Sequence, residues 1–250
     1  MKHGSVVAVL GLLFIIHPTA SGQMPSEDSA FYQSALTHTI QVYQRRIDDQ
    51  SALYNGSVYA PYEWAWKGGT PYFIDTLTAG SVVYDGMVYD SLKVLYEDLR
   101  QFFIVKNEAL MLQLVKERVS SFVVDGHHFI RLKADNHNPG LPRTGFYEVL
   151  YNGQTELLKE TVKSKREEPS IVEGILHYVD EKDNYYIRKK GNYVRVNSKR
   201  ELLDALDDRR KEVQRFLKKN KLNMRKGRET ALIQAIQYYD KLSISEKIDK

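Results

Sequence analysis

The sequence predicts an α+β protein: an antiparallel, curved, multi-stranded β-meander with an N-terminal helix and a C-terminal helical subregion. Three observations predict it. Between residues 80 and 133, short apolar and aromatic runs recur between turn residues. Asp85-Gly86 and Asp125-Gly126 are two-residue hairpin signals, because a type I′ turn needs positive φ at both central positions. After Ser198 the apolar period changes from two to that of a helix.

Asn107-Glu108 and Lys116-Glu117 are weaker breaks of the same spacing. Leu92, Val94 and Tyr96 alternate with Lys93, Leu95 and Glu97, which gives one apolar and one mixed face. Parallel strands would need crossover connections for which this spacing leaves no room, so the strands are expected to run antiparallel.

At the N-terminus, Lys2 and His3 precede an apolar run over residues 6–16, and Ala20-Ser21-Gly22 supplies small residues for cleavage. Residues 1–22 read as a signal peptide. The run is well short of the ~20 apolar residues needed to span a bilayer, so no transmembrane segment is expected once the leader is removed. There is no cysteine. That excludes thiol chemistry, disulfides and a lipoprotein anchor, so stability must come from a buried core. A chain of this size buries roughly 70% of its unfolded surface. The formal net charge of +4 does not by itself demand a polyanionic partner.

Over residues 23–52, Tyr32, Leu36, Ile40, Tyr43 and Ile47 fall on one helical face, with Ser26 or Ser29 as cap. The antiparallel β domain is expected over residues 53–197. It opens with an aromatic segment in which Tyr62, Trp64 and Trp66 stand among Gly and Pro, with a turn at Gly68-Gly69. Such rings can stack on a glycan or line a groove; packed edge-strand residues are the commoner outcome. The loop 134–144 is the longest polar stretch inside the sheet region, the kind of segment in which function tends to sit. Asn152-Gly153 is the clearest hairpin signal. The charged run over residues 163–168, ending at Pro169, reads as a solvated turn, with separate strands following near residues 174–179, 185–189 and 193–196. Ser198-Lys199-Arg200-Glu201 is a capping box that opens C-terminal helices over residues 198–250, with a break near Asp207-Asp208.

The candidate chemistry is sparse. His127, His128 and His137, with Asp125 and Asp135 nearby, form the most metal-like group. Consecutive strand residues point to opposite faces, however, so His127 and His128 cannot share an ion, and neither a metal nor a cofactor is expected. Glu148 shares a face with Phe146 and Leu150, where a carboxylate could serve proton transfer with Glu63 or His137 as partner in a glycosidase-like hydrolase. An ion pair with a basic residue on the neighbouring strand is the plainer reading. No nucleophile elbow, metalloprotease helix or phosphate-binding glycine loop is present. Residues 182–228 carry seventeen Lys or Arg against six Asp or Glu. This face could meet anionic lipid, or simply be the solvated side of helices. Nucleic acid is not expected as a partner.

Leu53-Tyr54-Asn55-Gly56, Gly80-Ser81-Val82-Val83-Tyr84-Asp85-Gly86, Gly145-Phe146-Tyr147-Glu148-Val149-Leu150-Tyr151-Asn152-Gly153 and Phe216-Leu217-Lys218-Lys219-Asn220-Lys221-Leu222 give the chain its resemblance to a family. It resembles uncharacterised exported proteins of Bacteroidota-type Gram-negative bacteria. The resemblance implies export and a shared fold, and transfers no catalytic residue. The expectation is therefore a periplasmic or envelope-associated, non-catalytic binding or scaffold module for an envelope protein, glycan or lipid. Its ligand candidates are Tyr62, Trp64, Trp66, His127, His128 and His137. The alternatives are the Glu148 hydrolase and a lipid or lipoprotein carrier built on a curved sheet.

Overall fold

The computed structural model describes Ser34, residues 52–107 and residues 110–248. The expected signal segment, and the expected helix over 23–52 except for Ser34 and Ala52, lie outside the described residues. The chain divides after Ser51, and the elements that follow belong to the unit beginning at Ala52.

Among the described residues twelve strands form one sheet: β1 (Ser57–Val58), β2 (Trp66–Gly68), β3 (Thr78–Tyr84), β4 (Met87–Glu97), β5 (Phe102–Lys106), β6 (Met111–Gln113), β7 (Val119–Val124), β8 (His127–Leu132), β9 (Gly145–Asn152), β10 (Glu156–Ser170), β11 (Gly174–Lys189) and β12 (Asn192–Arg195). The order is β1-β6-β5-β4-β3-β7-β8-β9-β10-β11-β12, and β2 pairs with β11 in parallel. The meander is thus two antiparallel runs that spread outward in opposite directions from β3. Asp85-Gly86 and Asp125-Gly126 take positive φ at both positions, as the hairpin signals predict.

Curvature follows from this order. β6 and β7 are four strand steps apart, about 19 Å across a flat sheet, yet residues 114–118 join them and include a tight turn closed by Arg118 N–H donating to Val115 C=O at 2.9 Å. So short a connection requires the sheet to curl. Ring contacts confirm the curl. Phe103 on β5 and Phe122 on β7 are three steps apart with centroids at 4.6 Å, and Tyr96 on β4 meets Phe129 on β8 at 5.2 Å. The inside of the curl is filled by Tyr84, Tyr96, Phe103, Phe122, Phe129 and Phe146, and the sheet does not close into a barrel.

Around the start of β10 the second half is covered on both faces. Leu157 and Leu158 are neighbours on β10 and both fully buried, the first against the helices and the second against Leu141, Tyr147, Tyr186 and Tyr193. The helices are α1 (Lys199–Ala205), α2 (Arg210–Lys219) and α3 (Arg228–Ile248), with a short 3-10 turn at Asp207–Arg209 where the break is expected. Both hydrogen bonds of the Ser198 and Glu201 capping box form. α3 is tied to the sheet by Asp240, whose Oδ2 accepts from Tyr151 Oη and Thr155 N–H, each at 3.1 Å.

Two local expectations are corrected. Residues 163–168 are not a turn: they lie inside β10, and the strands expected at 174–179 and 185–189 are one continuous β11. The physical reason is cross-strand charge pairing. The basic run faces an acidic run, so Lys163 meets Glu181 at 3.2 Å and Arg166 meets Asp180 at 2.9 Å, and a segment with no apolar pattern still pairs. Asn152-Gly153 is not a two-residue turn, because Asn152 pairs with Glu156 and leaves residues 153–155 as the loop. Gly153 is required there for space: a Cβ would collide with the Tyr151 hydroxyl and the Asp240 carboxylate.

Candidate functional site

Phe129, Phe146 and Leu157 face the same side of the sheet, and between the two apolar clusters they belong to runs a polar seam. Its centre is Glu148 on β9, flanked by His127 on β8 and Lys159 on β10. The register places Glu148 opposite Lys159 and Phe129, so its side chain is held between two neighbouring strands. His127 Nδ1 lies 2.5 Å from Glu148 Oε1, and Lys159 Nζ lies 3.8 Å from Oε2. Lys159 also reaches Asp183 at 3.7 Å and Glu229, in the first turn of α3, at 3.2 Å. Burial disfavours the Lys159 ammonium, but the carboxylates of Asp183, Glu229 and Glu148 more than offset this, so its pKa stands above the ordinary lysine value.

Further along β10, Lys163 occupies the same face. Its ammonium donates to the carbonyls of Thr70 and Tyr72 at 3.1 and 2.7 Å and approaches Asp98 at 3.9 Å. Asp98 is 6% exposed. Burial drives its pKa up, the Lys163 charge and a Tyr96 hydrogen bond pull it back, and the charges of Glu181 and Glu148 raise it again, leaving it at about 7. The seam thus holds two nearby buried carboxylates, one of which can carry a proton near neutrality. Their side chains are only 5% and 7% exposed, and those of Lys163 and Lys159 only 3% and 16%, so little of the seam is open to a substrate.

Next to the seam lies a second buried carboxylate cluster. Glu97 is fully buried and accepts from Tyr59 Oη at 2.7 Å, Tyr62 Oη at 2.5 Å, and Arg100 Nε and Nη2 at 2.6 Å each. Its hydrogen-bonding capacity is spent on fastening the 57–62 segment to the sheet. Tyr62, Trp64 and Trp66 pack on one another, and Trp64 stacks on His177 of β11 at 4.5 Å with the Lys165 ammonium 4.0 Å from its ring centre. These half-buried rings therefore clamp the long β10–β11 hairpin.

His127 faces Glu148 and Phe73 with its side chain 46% exposed, and His128, the next residue on β8, is exposed as well. His137 sits in the loop between β8 and β9 with its side chain 92% exposed and Asp135 3.5 Å away, so the loop does not carry it to Glu148. Glu63 is exposed. Among the described residues no group of three or more His, Asp or Glu is placed to hold a metal ion. Asp98, Lys159, Lys163 and His177 escaped sequence reasoning. The spacing of four between Lys159 and Lys163, which puts both on one strand face, was the signal available for two of them.

No family model, curated protein or solved structure matches the chain. No helix among the described residues is long and apolar enough to cross a membrane.

Proposed function

We propose that the protein is a non-catalytic binding or scaffold module of the cell envelope that presents the β10–β11 hairpin to a protein partner. The observation that carries this reading is the pairing of Glu148: one oxygen is matched to His127 and the other to Lys159, so the best candidate for proton transfer acts as a structural counter-ion. The aromatic filling of the curled sheet also favours a scaffold over a lipid carrier. The hairpin ends in Ile171 and Val172, 107% and 91% exposed, an arrangement suited to docking in an apolar recess of a partner.

A glycosidase-like hydrolase using Glu148 with Asp98 is the second reading, favoured by the raised Asp98 pKa beside a buried carboxylate. A broad glycoside and ester substrate screen decides between them. The scaffold reading expects no turnover from well-folded protein. Turnover that Glu148→Gln abolishes while the variant stays folded at the assay temperature would replace it with the hydrolase.

A further inference from the structure

Seven cations, Lys211, Arg215, Lys218, Lys219, Lys221, Arg225 and Lys226, are exposed on α2 and the loop that follows it. Among the described residues none of the seven forms an ion pair, and Glu212, the acid in their midst, lies 3.9 Å from Arg209 instead. The arrangement follows from helix periodicity. Val213 and Leu217 point into the core, so Lys211, Arg215 and Lys218, spaced by four and three, share the outward face. Beside them an open cleft of about 780 Å³ is bounded by Arg215, Lys218, Lys219, Asn220, Phe216 and Tyr238, with Glu212 as its one acid. The Phe216 and Tyr238 rings are half-buried and stacked on each other at 4.2 Å, 8° from parallel.

We infer that this face docks on the anionic headgroups of a lipid bilayer. Five of the seven cations are lysines, point charges on flexible stems that suit a diffuse negative surface rather than the fixed geometry of a single phosphate or base edge. One face of each ring is already taken by the other, which disfavours stacking on a sugar or base. Tyr is instead a residue enriched at headgroup depth, and Phe beside Lys and Arg is part of the composition of membrane-surface helices. The apolar side of α2 is already spent on the core, so attachment is adsorption through charge with the aromatic pair at its edge, not insertion of the helix.

The test is co-sedimentation of the intact chain with vesicles of mixed phosphatidylglycerol and phosphatidylcholine, against vesicles of phosphatidylcholine alone. Binding is expected only to the anionic vesicles and should fall as salt rises. Lys211→Gln/Arg215→Gln/Lys218→Gln should weaken it on the order of a hundred-fold at unchanged melting temperature. Lys93→Gln/Lys106→Gln, which removes two exposed cations from the sheet, should leave it unchanged. Equal binding to both vesicles, no binding to either, undiminished binding by the triple variant, or tighter binding to soluble polyphosphate or duplex DNA than to vesicles would each overturn the inference. Because none of these readouts depends on the β10–β11 hairpin or on Glu148, failure here leaves the scaffold reading standing.

Discussion

Lys159 stands directly opposite Glu148 in the pairing of β10 with β9, its ammonium 3.8 Å from one carboxylate oxygen, and from the same position it reaches Glu229 on α3. One lysine thus joins the sheet's central carboxylate to the helical layer. Its side chain is 16% exposed, so removing it strands partly desolvated negative charge. Lys159→Met should destabilise the protein by about 3 kcal/mol. Glu148→Gln, which keeps the shape and a hydrogen-bonding group, should cost about 1 kcal/mol. Urea unfolding of both variants checks the ranking, and a Lys159→Met cost no larger than that of Glu148→Gln would mean that no desolvated charge is stranded.

Glu97 predicts a local effect. Tyr59, Tyr62 and Arg100 all converge on it. Glu97→Ala should cost on the order of 3 kcal/mol and open the aromatic segment to limited proteolysis before the rest of the sheet. An unchanged cleavage rate within residues 57–77 would show that this segment is held by other contacts.

Asp98 makes stability depend on pH with a definite sign. Folding raises its pKa from the ordinary 3.8 to about 7, so the folded chain holds this proton more tightly than the unfolded chain does. Its contribution is complete below the unfolded value, declines as pH rises from about 4 to 7, and is flat above that. In Asp98→Asn this decline should disappear, while the separate loss of stability in strong acid should persist. That loss comes from paired carboxylates such as Asp85 beside Arg118 and Asp208 beside Lys189, whose pKa values lie below normal. Melting temperatures of the two proteins across this range make the comparison.

The stack of Trp64 on His177 predicts how the long hairpin is held. Trp64→Ala should raise hydrogen exchange in residues 163–180, where β2 and the aromatic segment clamp β11, and leave residues 156–160 and 185–189 protected by β9 and β12. A uniform rise along the hairpin would place the clamp elsewhere.

Gly140 and Gly86 separate strain from crowding. Both have positive φ, 93° and 77°, but a Cβ on Gly140 would strike the Tyr193 carbonyl whereas one on Gly86 meets open space. Gly86→Ala should cost about 1 kcal/mol and Gly140→Ala clearly more, since the 134–144 loop would have to leave β12, to which Pro139 C=O is joined by Tyr193 N–H at 2.8 Å. Thermal denaturation of both variants tests the order.

Local chemistry in the sequence was enough to specify the hairpins at Asp85-Gly86 and Asp125-Gly126, the Ser198 cap, the helix break at Asp207 and the antiparallel sense of the central strands. Each depends on a few adjacent residues whose backbone preferences survive in any surroundings. The alternation around Glu148 also showed which face it occupies, and the ion-pair reading anticipated a basic neighbour, which is Lys159.

Tertiary structure alone decided the rest. The charged run 163–168 became strand because an acidic run sixteen residues further along lies opposite it, a match that no window of local pattern contains. The meeting of Asp98, Lys163 and Glu148 and the burial that raises the Asp98 pKa both depend on contacts between strands distant in sequence. An ionisable side chain carries its charge in the sequence, but its work is set by the solvent it loses and the partners it gains, and those exist only once the chain is folded.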